Sequence, residues 1–442
     1  LGIGWKWVHL AQDQPPASWE FQQFIASPAL TRGELSEYLH LPKRAGIDRW
    51  ALIEPLSAKK YDLEVRAREL VGDMLAAKIH GADAIFAAHP FDDDAGLMTD
   101  TGMPGELLLP WRTTASLLSS TQYIGSIQLP GQSENLLFET PTGEMMMVVW
   151  NERPTQEVLH LGEDVRVVDV FGREKTPGAI EHRQVIDVDA LPKFVRGLNP
   201  HIARWRMQMN FKSPHIPSVF GKTHRNQVVL ANTFPQGVGG RLALTAPDGW
   251  QVLPGTIDFK LAEQETASKL FETALPFDAN SGPAPIRTDF VVSADRTYRF
   301  SVYRELNVGD GEVDLEVHTR IDDDGWLIVE QRMSNASAKL VDFKCLLYAP
   351  GRRRQRIQVF RLGDGADVKI YRYPRGAELL GAEMWLRAEE VNGTRVINHR
   401  FIAEQNASRG RSPLVDSGDV ALGWSAESSS SKRRLSLRDC RA

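Results

Sequence analysis

The feature that most constrains this chain is a long series of short strand-like segments that begins near residue 129. Runs such as 145–150 and 313–319 are strand-length, and many of them alternate apolar and polar side chains with the two-residue period of a half-buried strand. Asp248-Gly249 is one of several Asp-Gly pairs that supply turns. Strands spaced by about ten residues predict β-sandwiches. We expect three of them, at 129–195, 196–300 and 301–402.

Residues 1–128 have a different pattern. The clearest helix covers 63–80, with apolar positions at spacings of three and four and Gly81 behind it as a stop. A continuous apolar run at 82–88 has the length of a strand buried on both faces. A second helix is expected at 110–120. The order strand, helix, strand, loop, helix implies parallel pairing with right-handed crossovers.

The two ends of the chain give further expectations. Residues 403–442 contain nine serines and no sustained apolar period, so we expect a disordered tail. The chain begins at Leu1 without a basic segment followed by an apolar one. Either processing has removed a segment or the sequence is a fragment, and we expect a fragment. The compartment is not fixed by the sequence, and an extracellular or periplasmic location is the favoured hypothesis.

Composition excludes several classes of protein. The 52 Lys and Arg residues against 57 Asp and Glu give a net charge of −5, so no global positive field attracts nucleic acid. No apolar run approaches the length of a membrane-spanning helix. Cys345 and Cys440 cannot form a disulfide framework or a zinc site. The glycines at 237–240 lack a following helix, so they predict no phosphate loop. The sequence predicts no cofactor and no metal centre.

The segment NLLFETPTGEMMMVVWNERPTQEVLHLGEDVRVVDVFGRE (135–174) carries a recurring series of features. A strand ends in Trp150-Asn151, Leu161-Gly162 follows, and then a run from Val168 to Gly172. With the preceding helices and strands, this resembles the end of glycoside hydrolases of the large retaining (β/α)8-barrel clan. In that clan a small β-sandwich trails the barrel. The resemblance implies that residues 1–128 are the C-terminal part of an α/β barrel, because a complete barrel needs about 250 residues.

A second resemblance covers 226–300. Its specific part is Pro247-Asp248-Gly249-Trp250, followed by LAEQETASKLFETALP (261–276). This resembles the immunoglobulin-like accessory domains associated with α-galactosidases, in which Trp250 would pack at one end of a sandwich. The expected fold class is therefore multidomain α/β plus all-β, a partial (β/α)8-barrel end followed by about three β-sandwich domains.

Glu54 is the candidate catalytic residue. The barrel resemblance places it at the end of the seventh strand, where a retaining glycosidase carries its carboxylate nucleophile. The acid/base carboxyl near the fourth strand would lie outside this chain. The alternative is an ordinary loop carboxylate that caps the next segment.

Four residues are candidates for binding a sugar substrate. His89 and Asp92 follow the expected eighth strand and could hydrogen-bond to hydroxyl groups. Asp92, Asp93 and Asp94 could also hold Ca²⁺, although their spacing does not match a calcium loop, or they could form a solvated acidic turn. Trp50 and Trp111 could stack on sugar rings, and the alternative for each is core packing.

A cluster of arginines at 352–356 (RRRQR) is a candidate for anion binding. It could hold an anionic glycan or a phosphate. The alternative is an exposed edge or loop that deters aggregation between strands.

Two functional hypotheses remain open. The first is a fragment of a glycoside hydrolase-like protein that hydrolyses a glycan with retention. The second is a non-catalytic secreted or surface β-sandwich protein that binds carbohydrate or protein. A binding module predicts an exposed aromatic platform on a sandwich and no catalytic carboxylate pair.

Overall fold

The computed structural model of the protein describes residues 22–25, 49–309, 311–363 and 365–405. These residues form a short α/β region followed by three pairs of β-sheets. The predicted tail lies outside the described residues from position 406 onward. The domain boundaries at 128, 195, 300 and 402 stay predictions. The helices in the described part of the chain are too short or too polar to cross a membrane.

The α/β region contains a parallel sheet in the order β1-β2-β3. Its strands are β1 (Gln22–Ile25), β2 (Arg49–Ile53) and β3 (Ala84–Ala87), and its helices are α1 (Leu63–Ile79) and α2 (Leu108–Leu118). Helix α1 begins where the Asp62 carboxylate accepts from the amide of Val65, and it ends before Gly81, whose φ of 86° favours glycine. The predicted helices and the parallel pairing of β2 with β3 are confirmed.

The first pair of sheets is antiparallel throughout. Its six-stranded sheet, in the order β4-β5-β6-β12-β8-β9, and its three-stranded sheet, in the order β10-β11-β7, pack face to face. The strands are β4 (Gln122–Gly125), β5 (Glu134–Glu139), β6 (Met145–Trp150), β7 (Thr155–Leu159), β8 (Arg166–Val168), β9 (Glu174–Lys175), β10 (Gly178–Ile180), β11 (Arg183–Val188) and β12 (Lys193–Leu198).

Strand β6 is apolar along its whole length because both of its faces are covered. Met147 and Val149 face the three-stranded sheet. Met146 and Val148 face the opposite way and share a core with Leu70 and the rest of α1 and α2. The helices of the α/β region thus pack on the outer face of the six-stranded antiparallel sheet.

This packing corrects the expected fold class. The partial (β/α)8 barrel, and with it the glycoside hydrolase resemblance, is wrong. The described part of the chain contains a three-stranded parallel sheet and is otherwise almost entirely antiparallel β-structure. In a barrel the apolar faces of the helices would pack on parallel strands throughout, whereas here α1 and α2 also cover a sandwich sheet. The strand–helix–strand order does not distinguish these two ways of burying a helix.

The second pair of sheets follows helix α3 (Pro200–Gln208). One sheet has the order β13-β15-β19-β17 and the other β14-β21-β20-β16-β18. Trp205 of α3 is fully buried between them, against the rings of Phe290 and Phe300. The strands are β13 (Asn210–Phe211), β14 (His215–Ile216), β15 (Thr223–Ala231), β16 (Val238–Thr245), β17 (Gln251–Leu253), β18 (Thr256–Leu261), β19 (Thr266–Ala274), β20 (Gly282–Ser293) and β21 (Thr297–Val308).

The third pair of sheets is again antiparallel. A three-stranded sheet in the order β22-β23-β26 faces a four-stranded sheet in the order β25-β24-β27-β28. The strands are β22 (Val313–Ile321), β23 (Leu327–Asn335), β24 (Val341–Tyr348), β25 (Gln355–Leu362), β26 (Gly365–Tyr373), β27 (Glu383–Glu390) and β28 (Val396–Ile402). A short 3-10 helix, Gly376–Leu379, follows β26. The described part of the chain is therefore multidomain and β-sandwich-like.

Candidate functional site

Glu54 and His89 lie at the carboxyl edge of the parallel sheet. Glu54 is the first residue after β2 and His89 the second after β3, and the two strands are joined at this end by a hydrogen bond from the Ala88 amide to the Ile53 carbonyl, 2.7 Å long. Both side chains are exposed. Glu54 makes no hydrogen bond or ion pair with any described residue, so nothing described there orients it as a nucleophile. Retaining hydrolysis at Glu54 stays a prediction.

The three aspartates that follow β3 hold their own loop together. Asp92 accepts the amides of Asp94 and Ala95, and these two hydrogen bonds lower the pKa of its carboxyl. Asp94 accepts from the Ser57 hydroxyl at 2.7 Å, which is the main cause of its lowered pKa. These carboxylates close a turn, and no group of three or more metal-ligating side chains occurs in the part of the chain that is described.

The two candidate tryptophans lie on different elements. Trp50 is half-buried on β2 with its ring centroid 5.2 Å from that of Phe86. Trp111 is half-buried on α2 and packs against the core that the helices share with the first sandwich. The structure therefore brings Glu54, His89 and Asp92 to one edge of the sheet but places Trp111 in a packing position.

A polar cleft of about 290 Å³ lies between the first two sandwiches. The Gln128 amide donates across it to the carboxylate of Glu305, at 3.1 Å. Burial and the neighbouring Glu152 raise the pKa of Glu134 in its wall. No aromatic side chain is among the described residues that line this cleft, so it offers no platform for a sugar ring.

The third sandwich carries a strongly positive edge. We call residues 352–375, which include strands β25 and β26, the basic edge. This stretch has eight arginines and lysines against two aspartates, in a chain whose net charge is −5. Strand β25 ends the four-stranded sheet and β26 ends the three-stranded sheet, and the two lie beside each other. The predicted arginine cluster at 352–356 therefore stands at a sheet edge.

Most cations of the basic edge are not neutralised. Arg352 and Arg375 share the carboxylate of Glu378, and Lys369 pairs with Asp367 at 2.9 Å. The remaining five side chains are exposed and form no ion pair with any residue that is described; they are Arg353, Arg354, Arg356, Arg361 and Arg372.

Apolar side chains lie among these cations. Phe360 on β25 is 64% exposed, and Val368 and Ile370 on β26 are each 46% exposed. On β26 they alternate with Lys369 and Tyr371, which face the sandwich interior, so the outward face of this strand combines apolar contact with positive charge. Sequence reasoning identified the arginines but missed this strand. The two-residue period of Val368, Ile370 and Arg372 was the available signal.

Comparisons with known proteins identify no family. No family model matches the chain, and no curated protein matches it. The fold overturns the barrel resemblance, and no family match supports the α-galactosidase-associated one. Several solved structures are similar in part, with low scores.

Red sea bream transglutaminase is 13% identical over 45% of this chain and 31% of its own, with a TM-score of 0.22. Escherichia coli α2-macroglobulin activated by porcine elastase is 12% identical over 66% of this chain and 31% of its own, with a TM-score of 0.26. A Legionella pneumophila DUF4785 family protein is 12% identical over 64% of this chain and 84% of its own, with a TM-score of 0.18. The chain thus spans under a third of the length of the first two proteins. Similarity at these scores supports no statement about function.

Proposed function

We propose that this chain is a non-catalytic β-sandwich protein that binds an acidic protein segment at the basic edge. The observation that carries the proposal is the presence, within the basic edge, of five exposed arginines without ion pairs to described residues and of the exposed side chains of Phe360, Val368 and Ile370. Unpaired surface cations of one sign attract an anionic partner and accelerate its association.

The apolar side chains favour a protein over an anionic glycan. A sulfated or carboxylated sugar is matched by arginines alone, and it gains nothing from half-exposed valine and isoleucine side chains. A protein segment with alternating acidic and apolar residues matches both kinds of group. Arginine and large apolar side chains are also the residues that contribute most to protein interfaces.

The test uses the intact chain and a fluorescent peptide of alternating glutamate and valine. Reversing three arginines together, in R353E/R354E/R356E, replaces attraction with repulsion at three exposed positions. At about 0.5 to 1 kcal/mol for each, affinity falls roughly 10- to 100-fold. Affinity for the unaltered chain falls as salt is raised, because exposed charges are screened.

The matched control reverses three exposed cations of the second sandwich, in K222E/K260E/R299E. This variant undergoes the same change in net charge, and we expect its affinity to stay within about twofold of the unaltered chain. Equal losses in the two variants would show that only net charge matters. Binding of heparin without binding of the peptide would assign the site to an anionic glycan and overturn the proposal.

A further inference from the structure

We propose that the acidic partner binds as an added β-strand along β26, by hydrogen bonds to the backbone of Ala366, Val368 and Ile370. This inference rests on the proposed function and specifies how the basic edge would hold its partner. An exposed sheet edge offers a row of unpaired amide and carbonyl groups, and an extended peptide can pair with it.

The hydrogen bonds at the two ends of the β22–β23 hairpin show to which side of its strand each residue directs its amide and carbonyl. The Asp322 amide donates to the Trp326 carbonyl at 2.9 Å, and the Ala336 amide donates to the Glu312 carbonyl at 2.7 Å. Both are pairs of even-numbered residues in the same register as the strands between them. Because successive residues of a strand direct their amide and carbonyl to opposite sides, the even-numbered residues of β23 bond to β22.

The odd-numbered residues of β23 must then bond to β26. The register pairs Val329 with Tyr371 and Gln331 with Lys369, so the odd-numbered residues of β26 form this ladder. The even-numbered residues of β26 direct their amides and carbonyls to the edge.

A side-chain contact supports this assignment independently. The Gln355 amide group, on β25, donates to the carbonyl of Arg372 at 2.7 Å. Arg372 is even-numbered, so its carbonyl does point away from β23. Gln355 covers only the end of the edge at Arg372. The edge-facing backbone groups of Ala366, Val368 and Ile370 pair with no other described strand.

The strand itself is suited to pairing. It is nine residues long, it contains no proline, and its register with β23 is continuous without a bulge. These are the features that natural edge strands usually avoid. Val368 and Ile370 would flank the added strand on the outer face of the sheet.

Charge selects the occupant. A second copy of this chain would bring its own Arg372, and the exposed arginines on and before β25, close to those of the first copy, and like charges brought together destabilise strand pairing. An acidic segment brings the opposite sign to the same place. The geometry therefore points to an extended acidic segment of another protein and not to a symmetric pair of β26 strands.

Residue-resolved hydrogen exchange tests the proposal, with the glutamate–valine peptide as the probe. We expect the amides of Val368 and Ile370 to exchange at least about tenfold more slowly when the peptide is bound. The amides of Lys369 and Tyr371 lie in the β23 ladder and are protected with or without peptide. Binding that leaves the even-numbered amides unprotected would overturn strand addition while leaving the proposed function intact. Absence of any binding would remove both.

A matched pair of variants provides a second measurement. Ile370→Pro removes an edge-facing amide that the β23 ladder does not use, and Ile370→Thr keeps it. We expect the proline variant to bind at least tenfold more weakly than the threonine variant. A peptide that is N-methylated at alternate residues tests the same bonds without altering the protein, and we expect a similar loss. Unchanged affinity of the methylated peptide would contradict the proposal even if the proline variant fails to fold.

Discussion

The two edges of the sheet β22-β23-β26 differ in how they meet their surroundings. At the β22 edge the Thr319 hydroxyl donates to the Glu404 carbonyl at 2.6 Å and accepts the Glu404 amide at 2.9 Å. The outward side chains of β22 are Asp314, Glu316, His318 and Arg320, all of them polar. At the β26 edge the backbone is open over three alternate residues, and Val368 and Ile370 face outward.

Both edge strands lack an outer strand partner among the described residues, and they differ in their outward side chains and in the contact between Thr319 and Glu404. Charged outward residues and a capping segment are the usual protection of an edge against unwanted pairing. The sequence supplies charged and polar outward residues on β22, whereas the outward side chains of β26 are Ala366, Val368, Ile370 and Arg372. Under the proposed function, the arginines around β26 would repel a second copy of this edge and attract an acidic strand.

The largest expected effect is the difference in unfolding free energy lost when a buried side chain of β22 and a half-exposed side chain of β26 are each replaced by alanine. Leu315 on β22 is buried in the core, whereas Val368 on β26 is half-exposed. Leu315→Ala should lower the free energy of unfolding of the third sandwich by about 2 to 4 kcal/mol, and Val368→Ala by less than about 0.5 kcal/mol. Urea denaturation followed by tryptophan fluorescence measures both. A comparable cost for Val368→Ala would show that this side chain contributes to the stability of the fold, and it would contradict its assignment as a half-exposed surface residue.

The core between the two edges gives a pH-dependent prediction. Burial raises the pKa of the Cys345 thiol to about 11 and that of the Tyr373 hydroxyl to about 12. Their neutral forms are favoured in the folded state, so the stabilisation is complete below the unfolded thiol pKa of 9.0 and is lost as pH rises through 11. We expect a loss on the order of 2 kcal/mol across this window.

The control for this prediction is Cys345→Ala, compared by its slope with pH and not by its absolute stability. Removing the thiol should flatten the fall of unfolding free energy between pH 9 and 11. An unchanged slope in the variant would show that Cys345 does not contribute to alkaline unfolding.

The smallest expected effect concerns the caps of the two edges. Thr319→Val removes both bonds to Glu404 in a buried position, and it should cost about 1 to 2 kcal/mol. Gln355→Leu removes a single bond to Arg372 at a half-exposed position, so a cost of about 0.5 kcal/mol is expected. Denaturation of both variants provides the measurement. Equal costs would show that the buried contact at Thr319 contributes no more to stability than the half-exposed one at Gln355.

Local pattern predicted the local elements well. The three- and four-residue spacing from Leu63 onward, with Gly81 behind it, predicted α1, and the apolar run before His89 predicted β3. Each of these depends on residues that are neighbours in sequence. The same holds for the strands of the sandwiches, in which apolar and polar side chains alternate between adjacent residues.

Long-range packing could not be predicted in this way. The apolar run at β6 is continuous because two helices that end at Ile79 and Leu118 cover its second face, and a pattern of single residues contains no such partner. The arginines at 352–356 were visible in the sequence, but whether they stood beside an open strand depended on which strand paired with β23. The order of strands in the sheet determines which strand lies at the edge, and this order cannot be predicted from the sequence of a single segment.

The double-sided burial of β6 has a consequence for how this protein can change over evolution. Replacing the α/β region with an unrelated module would uncover Met146 and Val148, since their cover comes from α1 and α2. A recombination cut between the helices and the first sandwich would therefore expose apolar surface on both pieces.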